Sequence, residues 1–261
     1  MIKINFLGTC SGTEPMPDMH HSSLIIDIND KLLWFDAGEN AAYRAYTSGI
    51  DIMKTKALFV SHPHIDHIGG LANILTCMNK IIWRYNTELF YDNTLNIYFP
   101  DYEVFEAVKT VATANRYSLH YKISEHPMLD GVIFDDGETR VTALHNKHLH
   151  EDGSSGWHSY SFIIDTEGRR IVHSGDLAAP SELDSLLASG CDALIMETGH
   201  HKLADVCEYA AQHGVRHLYL THHGREILAD IDGAKRRCEE YAKLYGINIT
   251  VCHDGLVTTF E

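Results

Sequence analysis

Ser61-His62-Pro63-His64-Ile65-Asp66-His67-Ile68-Gly69-Gly70 is the stretch on which the reading of this chain turns. Ala57-Leu58-Phe59-Val60 runs into it as a buried strand, and Leu71–Met78 beyond it reads as helix. Three histidines and an aspartate therefore sit on a turn between strand and helix. His62 and His64 share one side of an extended segment, while Asp66 and His67 lie at the mouth of the helix. A lone histidine at a strand end is ordinarily a core or surface residue. Three imidazoles and a carboxylate packed this closely suit a zinc-like divalent ion, and suit two such ions better.

The composition is compatible with such a centre. A chain of 261 residues buries a sizeable core, and 44% hydrophobic with 22% charged residues is globular. The formal charge of −15 argues against an extended nucleic-acid partner, which needs clustered Lys and Arg. The 19 histidines include the pairs His20-His21, His200-His201 and His222-His223, a surplus that supports a metal-rich site although surface histidines add to the same count. Six scattered cysteines show neither a zinc ribbon nor a disulfide framework. Met1-Ile2-Lys3-Ile4 opens as a strand rather than a signal peptide, and no apolar run reaches membrane-spanning length, so a cytoplasmic protein is expected.

Along the chain, strands are predicted at Lys3–Leu7, Ser23–Ile28, Lys31–Phe35, Ala57–Val60 and Asn96–Phe99, with an Asn29-Asp30 turn and helices over Ile68–Met78 and Tyr102–Ala112. The pattern then repeats with strands at Leu119–Ile123, Val132–Phe134, Thr139–Leu144, Tyr160–Asp165 and Arg169–His173. Helices at Pro180–Ala188, Leu203–Gln212 and Arg225–Leu244 alternate with strands at Ala193–Met196 and His217–Leu220, and two short strands close the chain. No linker or short repeat interrupts it, and one domain over 1–261 is expected. Many strands with helices between them point to an α/β sandwich.

The histidine string resembles the signature of the metallo-β-lactamase superfamily. The resemblance implies an αββα sandwich of two mixed β-sheets with helices on the outer faces, and two divalent metal ions, zinc first with manganese or iron as alternatives. It also implies further ligands. One comes from Val141–His150, where His148 is preferred over His145 and His150. A bridging carboxylate comes from His173-Ser174-Gly175-Asp176, and a last histidine from Leu220-Thr221-His222-His223, where His222 is preferred over His223. One ion would then rest on His62, His64 and His148, and the other on Asp66, His67 and His222. Asp176 and a water would bridge them. Asp36, in Leu33-Trp34-Phe35-Asp36-Ala37-Gly38-Glu39, is expected to orient a ligand histidine rather than bind metal.

Two ions sharing a water imply hydrolysis of an ester, amide or phosphodiester. Redox relatives often carry Glu at the position of His64, so the resemblance favours hydrolysis here. Phe6–Thr13, His21-Ser22-Ser23-Leu24 and the Asp36 segment look like the opening of ribonuclease Z and its phosphodiesterase relatives. Met196-Glu197-Thr198-Gly199-His200-His201 is similar to the segment in which those enzymes support a histidine that protonates the leaving oxygen. The catalytic candidates are therefore Asp66 and Glu197 with His200 or His201. Members that process transfer RNA carry a long arm between the third histidine motif and the bridging Asp. Here that interval is short and mostly taken by the Tyr160–His173 hairpin. A small-molecule substrate, a cyclic or otherwise small phosphodiester, is expected. The His145–His158 loop is a candidate rim, and a homodimer is expected by analogy. Carboxylic ester or lactone hydrolysis, tRNA 3′-processing and a non-catalytic metal-binding role are the alternatives.

Overall fold

The computed structural model describes residues 1–114, 116, 118–149 and 156–260. It divides into two compact units, Met1–Pro127 with the C-terminal segment from Asp254, and Met128–His253.

The first unit holds strands β1 (Ile2–Gly8), β2 (Ser23–Ile28), β3 (Lys31–Phe35), β4 (Thr55–Phe59), β5 (Thr94–Phe99) and β6 (Lys122–Pro127), with helices α1 (Ala41–Thr47), α2 (Ile65–Ile68), α3 (Leu71–Tyr85) and α4 (Tyr102–Thr113). Asn29 and Asp30, at φ 52 and 68, make the tight turn that joins β2 to β3. From β3 to β6 all neighbours are parallel, while β2 runs against β1 and β3. The C-terminal ends of β1, β3 and β4 consequently share one edge of the sheet. Leu71, Ile74, Leu75, Met78 and Ile82 of α3 recur at three- and four-residue intervals and are all buried. They pack with Trp34, Leu58 and Phe105, and the Trp34 indole N–H donates to Thr55 Oγ1 at 2.9 Å.

The second unit holds β7 (Gly131–Asp135), β8 (Thr139–His145), β9 (Tyr160–Thr166), β10 (Arg169–His173), β11 (Cys191–Thr198), β12 (Val215–His223) and β13 (Asn248–Val251), with α5 (Leu203–Gln212), α6 (Arg225–Leu228) and α7 (Ile231–Tyr245). The strand β14 (Val257–Phe260) returns to the first unit and pairs with β1. The sheets run β14-β1-β2-β3-β4-β5-β6 and β13-β12-β11-β10-β9-β8-β7. In the second, β10 to β13 are parallel, and β8, two antiparallel steps from β10, points the same way. Val206, Cys207 and Ala210 of α5 and Ala234 and Cys238 of α7 pack with Leu218 and Leu220 of β12.

Three predicted helices differ from what forms. Ile68–Met78 is broken at Gly69-Gly70 into α2 and α3, because Gly70 lets the backbones of two segments meet: a Cβ there would lie 2.1 Å from the Gly38 carbonyl oxygen. Arg225–Leu244 is broken at Asp230, whose side chain accepts the Gly233 N–H at 2.8 Å and starts α7 afresh. Pro180–Ala188 is only a 3-10 turn over Pro180–Leu183. There the Glu182 carboxylate accepts the N–H groups of Lys147 and Ala178, and Gly190, at φ 68, turns the chain into β11. The predicted strand at Leu119–Ile123 forms slightly later, as β6. No helix among the described residues is long and apolar enough to cross a membrane.

Candidate metal centre

In the first unit the donors stand where β4 leaves the sheet. His64 is extended (φ −63, ψ 149) and precedes α2, a single turn that carries Asp66 and His67. Asp36, at the end of β3, is fully buried and sits at φ 60. Its carboxylate accepts the Ser61 N–H at 2.6 Å and the Ser61 hydroxyl at 2.8 Å, and it meets His67 Nδ1 at 2.7 Å. A carboxylate only accepts, so His67 carries its hydrogen on Nδ1 and keeps a lone pair on Nε2. The single Ser61 hydrogen goes to Asp36, so the Ser61 oxygen accepts from His62 Nδ1 at 3.0 Å. That leaves His62 Nε2 as a second lone pair, 3.0 Å from His64 Nδ1. Asp36 and Ser61 thus set the tautomers of two histidines. His67 Nε2 lies 3.4 Å from Asp66 Oδ2. The loop after β1 closes over this carboxylate: a Cβ on Gly12 would stand 2.8 Å from Asp66 Cγ and would force one of the two to move.

In the second unit the donors come from four separate strand ends on one edge of the sheet, the carboxyl edge where open α/β sheets bind ligands. Asp176 follows β10 through Gly175 at φ 57, and Glu197 is at the end of β11. His222, near the end of β12, adopts φ 49, a conformation uncommon for a residue with a side chain. Gly199 leaves the room its ring needs, since a Cβ there would be 2.7 Å from His222 Nδ1. Asp176 Oδ2 lies 3.4 Å from His222 Nε2, 3.7 Å from His148 Nε2 and 3.9 Å from His200 Nδ1. Glu197 Oε1 lies 3.0 Å from His200 Nδ1 and 3.2 Å from His201 Nε2, and Glu197 Oε2 is 3.8 Å from His222 Nδ1. The donor atoms of His148, Asp176 and His200 all fall within 4.8 Å of one another, as do those of Glu197, His200 and His222.

Burial alone would raise the Glu197 pKa, but the imidazoles of His200, His201 and His222 hold it well below the ordinary carboxylate value. The hydrogen bond to Glu197 in turn raises the His200 pKa against the effect of burial.

The separations of 3.4–3.9 Å around Asp176, and 3.4 Å between Asp66 and His67, are too long for good hydrogen bonds. Two ligands on one tetrahedral ion, with bonds of about 2.0–2.1 Å, stand about 3.3 Å apart. Donor spacing in each unit, and the His62 and His67 tautomers in the first, therefore fit a divalent metal.

The rival histidines are differently engaged. His145 places Nδ1 2.7 Å from Asp130 Oδ2 and stacks its ring on Trp157 at 4.0 Å. His223 donates from Nε2 to the Cys252 carbonyl at 2.8 Å, and burial lowers its pKa to about 4. His150 and positions 151–155 of the expected rim lie outside the described residues. The roles of Ser61, Gly12 and Gly199 were not anticipated. Ser61 opens the histidine string, but nothing in its spacing marks it as the relay to His62.

Three comparisons bear on this arrangement. A family model described as "Anti-Pycsar protein Apyc1" matches residues 2–239. Ribonuclease Z of Methanothermobacter thermautotrophicus is 25% identical over 275 residues, covering 85% of this chain and 86% of that protein. Two crystal structures share the fold: the metallo-β-lactamase fold protein YhfI from Bacillus subtilis (TM-score 0.74, 19% identity) and the short form of human tRNase Z (TM-score 0.72, 20% identity), each matched over 98% of both chains.

Proposed function

Because the chain belongs to the Apyc1 anti-Pycsar family and is a metallo-β-lactamase fold protein related to ribonuclease Z, we propose that it is a metal-dependent phosphodiesterase acting on a small cyclic nucleotide. In the first unit His62, His64, Asp66 and His67, and in the second His148, Asp176 and His222, are the residues that would hold the metal. Zinc is the first choice, and manganese or iron suit the same donors. When bound, the ions would supply an activated water and polarise the phosphoryl group.

The chain's own contribution is orientation and a proton. Asp36 and Ser61 engage Nδ1 of His67 and His62 and so place the lone pair of each ring on Nε2. The observation that carries the phosphodiester reading is the Glu197–His200 pair beside Asp176. Glu197 Oε2 accepts the His200 backbone N–H at 3.0 Å while Oε1 holds Nδ1, so His200 is held through both its backbone and its ring. With Nδ1 engaged, Nε2 of this partly exposed imidazole is the atom that would hand a proton to the departing ribose oxygen. His201 is more buried and approaches the same carboxylate through Nε2, so His200 is the preferred acid. Acyl esters with good leaving groups need no such donor. The charge of −15 also favours a small substrate over a transfer RNA.

The test is a leaving-group comparison. H200A should lower kcat on a cyclic nucleotide by about 10²–10⁴-fold, the usual contribution of a general acid. It should affect bis(p-nitrophenyl) phosphate far less, because nitrophenolate leaves unprotonated. Preferential cleavage of an acyl ester or lactone, or of a precursor tRNA, would replace this reading. Equal losses on both phosphodiesters would remove His200 from the acid role.

A further inference from the structure

Asn146, which follows β8, is 2% exposed, and both ends of its side-chain amide are engaged by protein groups. Its amide connects three parts of the second unit's donor set. Its Oδ1 accepts the backbone N–H of His148 at 3.2 Å, and its Nδ2 donates to Ser161 Oγ at 3.1 Å. Ser161 passes its own hydrogen to the Ser174 carbonyl oxygen at 2.5 Å, two residues before Asp176. The Ser174 hydroxyl accepts the Glu197 N–H at 3.0 Å and donates to the Gly175 carbonyl at 2.6 Å.

The direction of this chain is forced from both ends. A backbone N–H only donates, so the atom facing His148 must be the amide oxygen. A carbonyl only accepts, so Ser161 must donate to Ser174 and has only its oxygen left to face Nδ2. Asparagine satisfies both demands at once, and aspartate, with two acceptors, satisfies only one. Inside the protein such a network is stiff when complete and costly when broken.

We propose that Asn146 is a positioning residue that fixes the His148 turn and the Asp176 turn in one register, so that the 3.7 Å spacing of their donor atoms exists before a metal arrives. The inference rests on the metal-site reading above and adds to it the residue that preorganises one side of the site.

The measurement is zinc affinity of the full chain, stripped of metal and titrated against a competing chelator, for the parent, N146D and S161A. Outer-shell partners of metal ligands are typically worth about 10–100-fold in affinity. N146D should weaken zinc binding within that range, and S161A should weaken it in the same direction. With saturating zinc, kcat should return toward the parent value, because every ligand is intact. A role confined to packing would instead lower the melting temperature of the metal-free chain and leave zinc affinity within twofold of the parent, which would overturn the proposal. If N146D fails to fold, S161A decides alone, since it removes one oxygen and leaves the backbone bonds of β9 in place. A parent chain that takes up no zinc, manganese or iron would sink the metal reading itself and this inference with it, a failure recognisable before any variant is made.

Discussion

The two units bring their candidate metal donors together by opposite routes. In the first, four candidate donors fall within His62–His67, on the exit of a single strand, and one buried carboxylate, Asp36, orders two of them, His67 directly and His62 through Ser61. In the second, the candidate donors His148, Asp176 and His222, with Glu197 that holds His200, come from four strand ends spread over the sequence, and they are assembled only because β8, β10, β11 and β12 point the same way. The first set is specified by local sequence with one long-range partner. The second depends on sheet topology and on a relay of buried polar groups. Damage should therefore differ in kind: single side chains dominate the first set, and the connections among turns dominate the second.

The largest effect expected is at the hub of the dispersed set. D176N keeps the shape of the side chain and removes the charge that faces three imidazoles at 3.4–3.9 Å. Activity should fall by more than the about 100-fold upper range of an outer-shell change, with loss of bound metal measured by elemental analysis. Retained stoichiometry and activity would mean that these histidines converge without Asp176, and the contrast between the units would collapse.

Next is D36N, the corresponding blow to the local set. The amide nitrogen facing His67 would favour a hydrogen on Nε2 instead of Nδ1, the wrong tautomer for a ligand. A loss of about 10–100-fold in metal affinity is expected, and D36E should not rescue it, because three bonds of 2.6–2.8 Å fix the length of the side chain. If D36N costs no more than a surface change, the local set is ordered by its backbone alone.

Each unit also has one glycine against a donor, Gly12 against Asp66 and Gly199 against His222. G12A and G199A ask how each set yields to pressure. Displacing a reacting group by a full ångström can cost about 10²-fold, and relief of these clashes needs less. About 10-fold is expected for either, with G199A the worse, because His222 already holds a positive φ and has little freedom to retreat. Metal content measured beside kcat would separate a displaced ligand from a lost one. A larger effect from G12A would show that the loop over Asp66 is the stiffer element.

The same contrast explains what the sequence disclosed. The string His62–His67 was legible because its donors are contiguous and a β-strand and a helix flank it. Most individual strands followed from patterning and the Asn29-Asp30 turn from residues that tolerate positive φ, whereas the two mixed sheets came from the resemblance. The second set was legible only through resemblance, because three histidines crowd Val141–His150 and two adjoin at His222, and spacing does not say which ring turns inward. The Asn146 relay was invisible, since an asparagine after a strand ordinarily signifies a turn and a serine inside one, as Ser161 is in β9, carries no signal of its partner. The long helix predicted over Arg225–Leu244 was divided for a related reason: Asp230 is acceptable within a helical pattern until its carboxylate turns back to cap Gly233.

The smallest effect should come from His145, and it is informative because it is small. Its Nδ1 is held by Asp130, whose other oxygen accepts the His145 N–H at 2.7 Å, and its ring lies against Trp157. This partly exposed pair is worth at most about 1 kcal/mol of stability. H145A should leave metal content and kcat within twofold of the parent and lower the melting temperature by no more than a few degrees. H148A should remove metal under the same conditions. Should H145A lose an ion and H148A keep both, the ligand following β8 would be His145. The Asn146 relay would then brace a turn with no donor on it, and topology would have to act through the strand end itself.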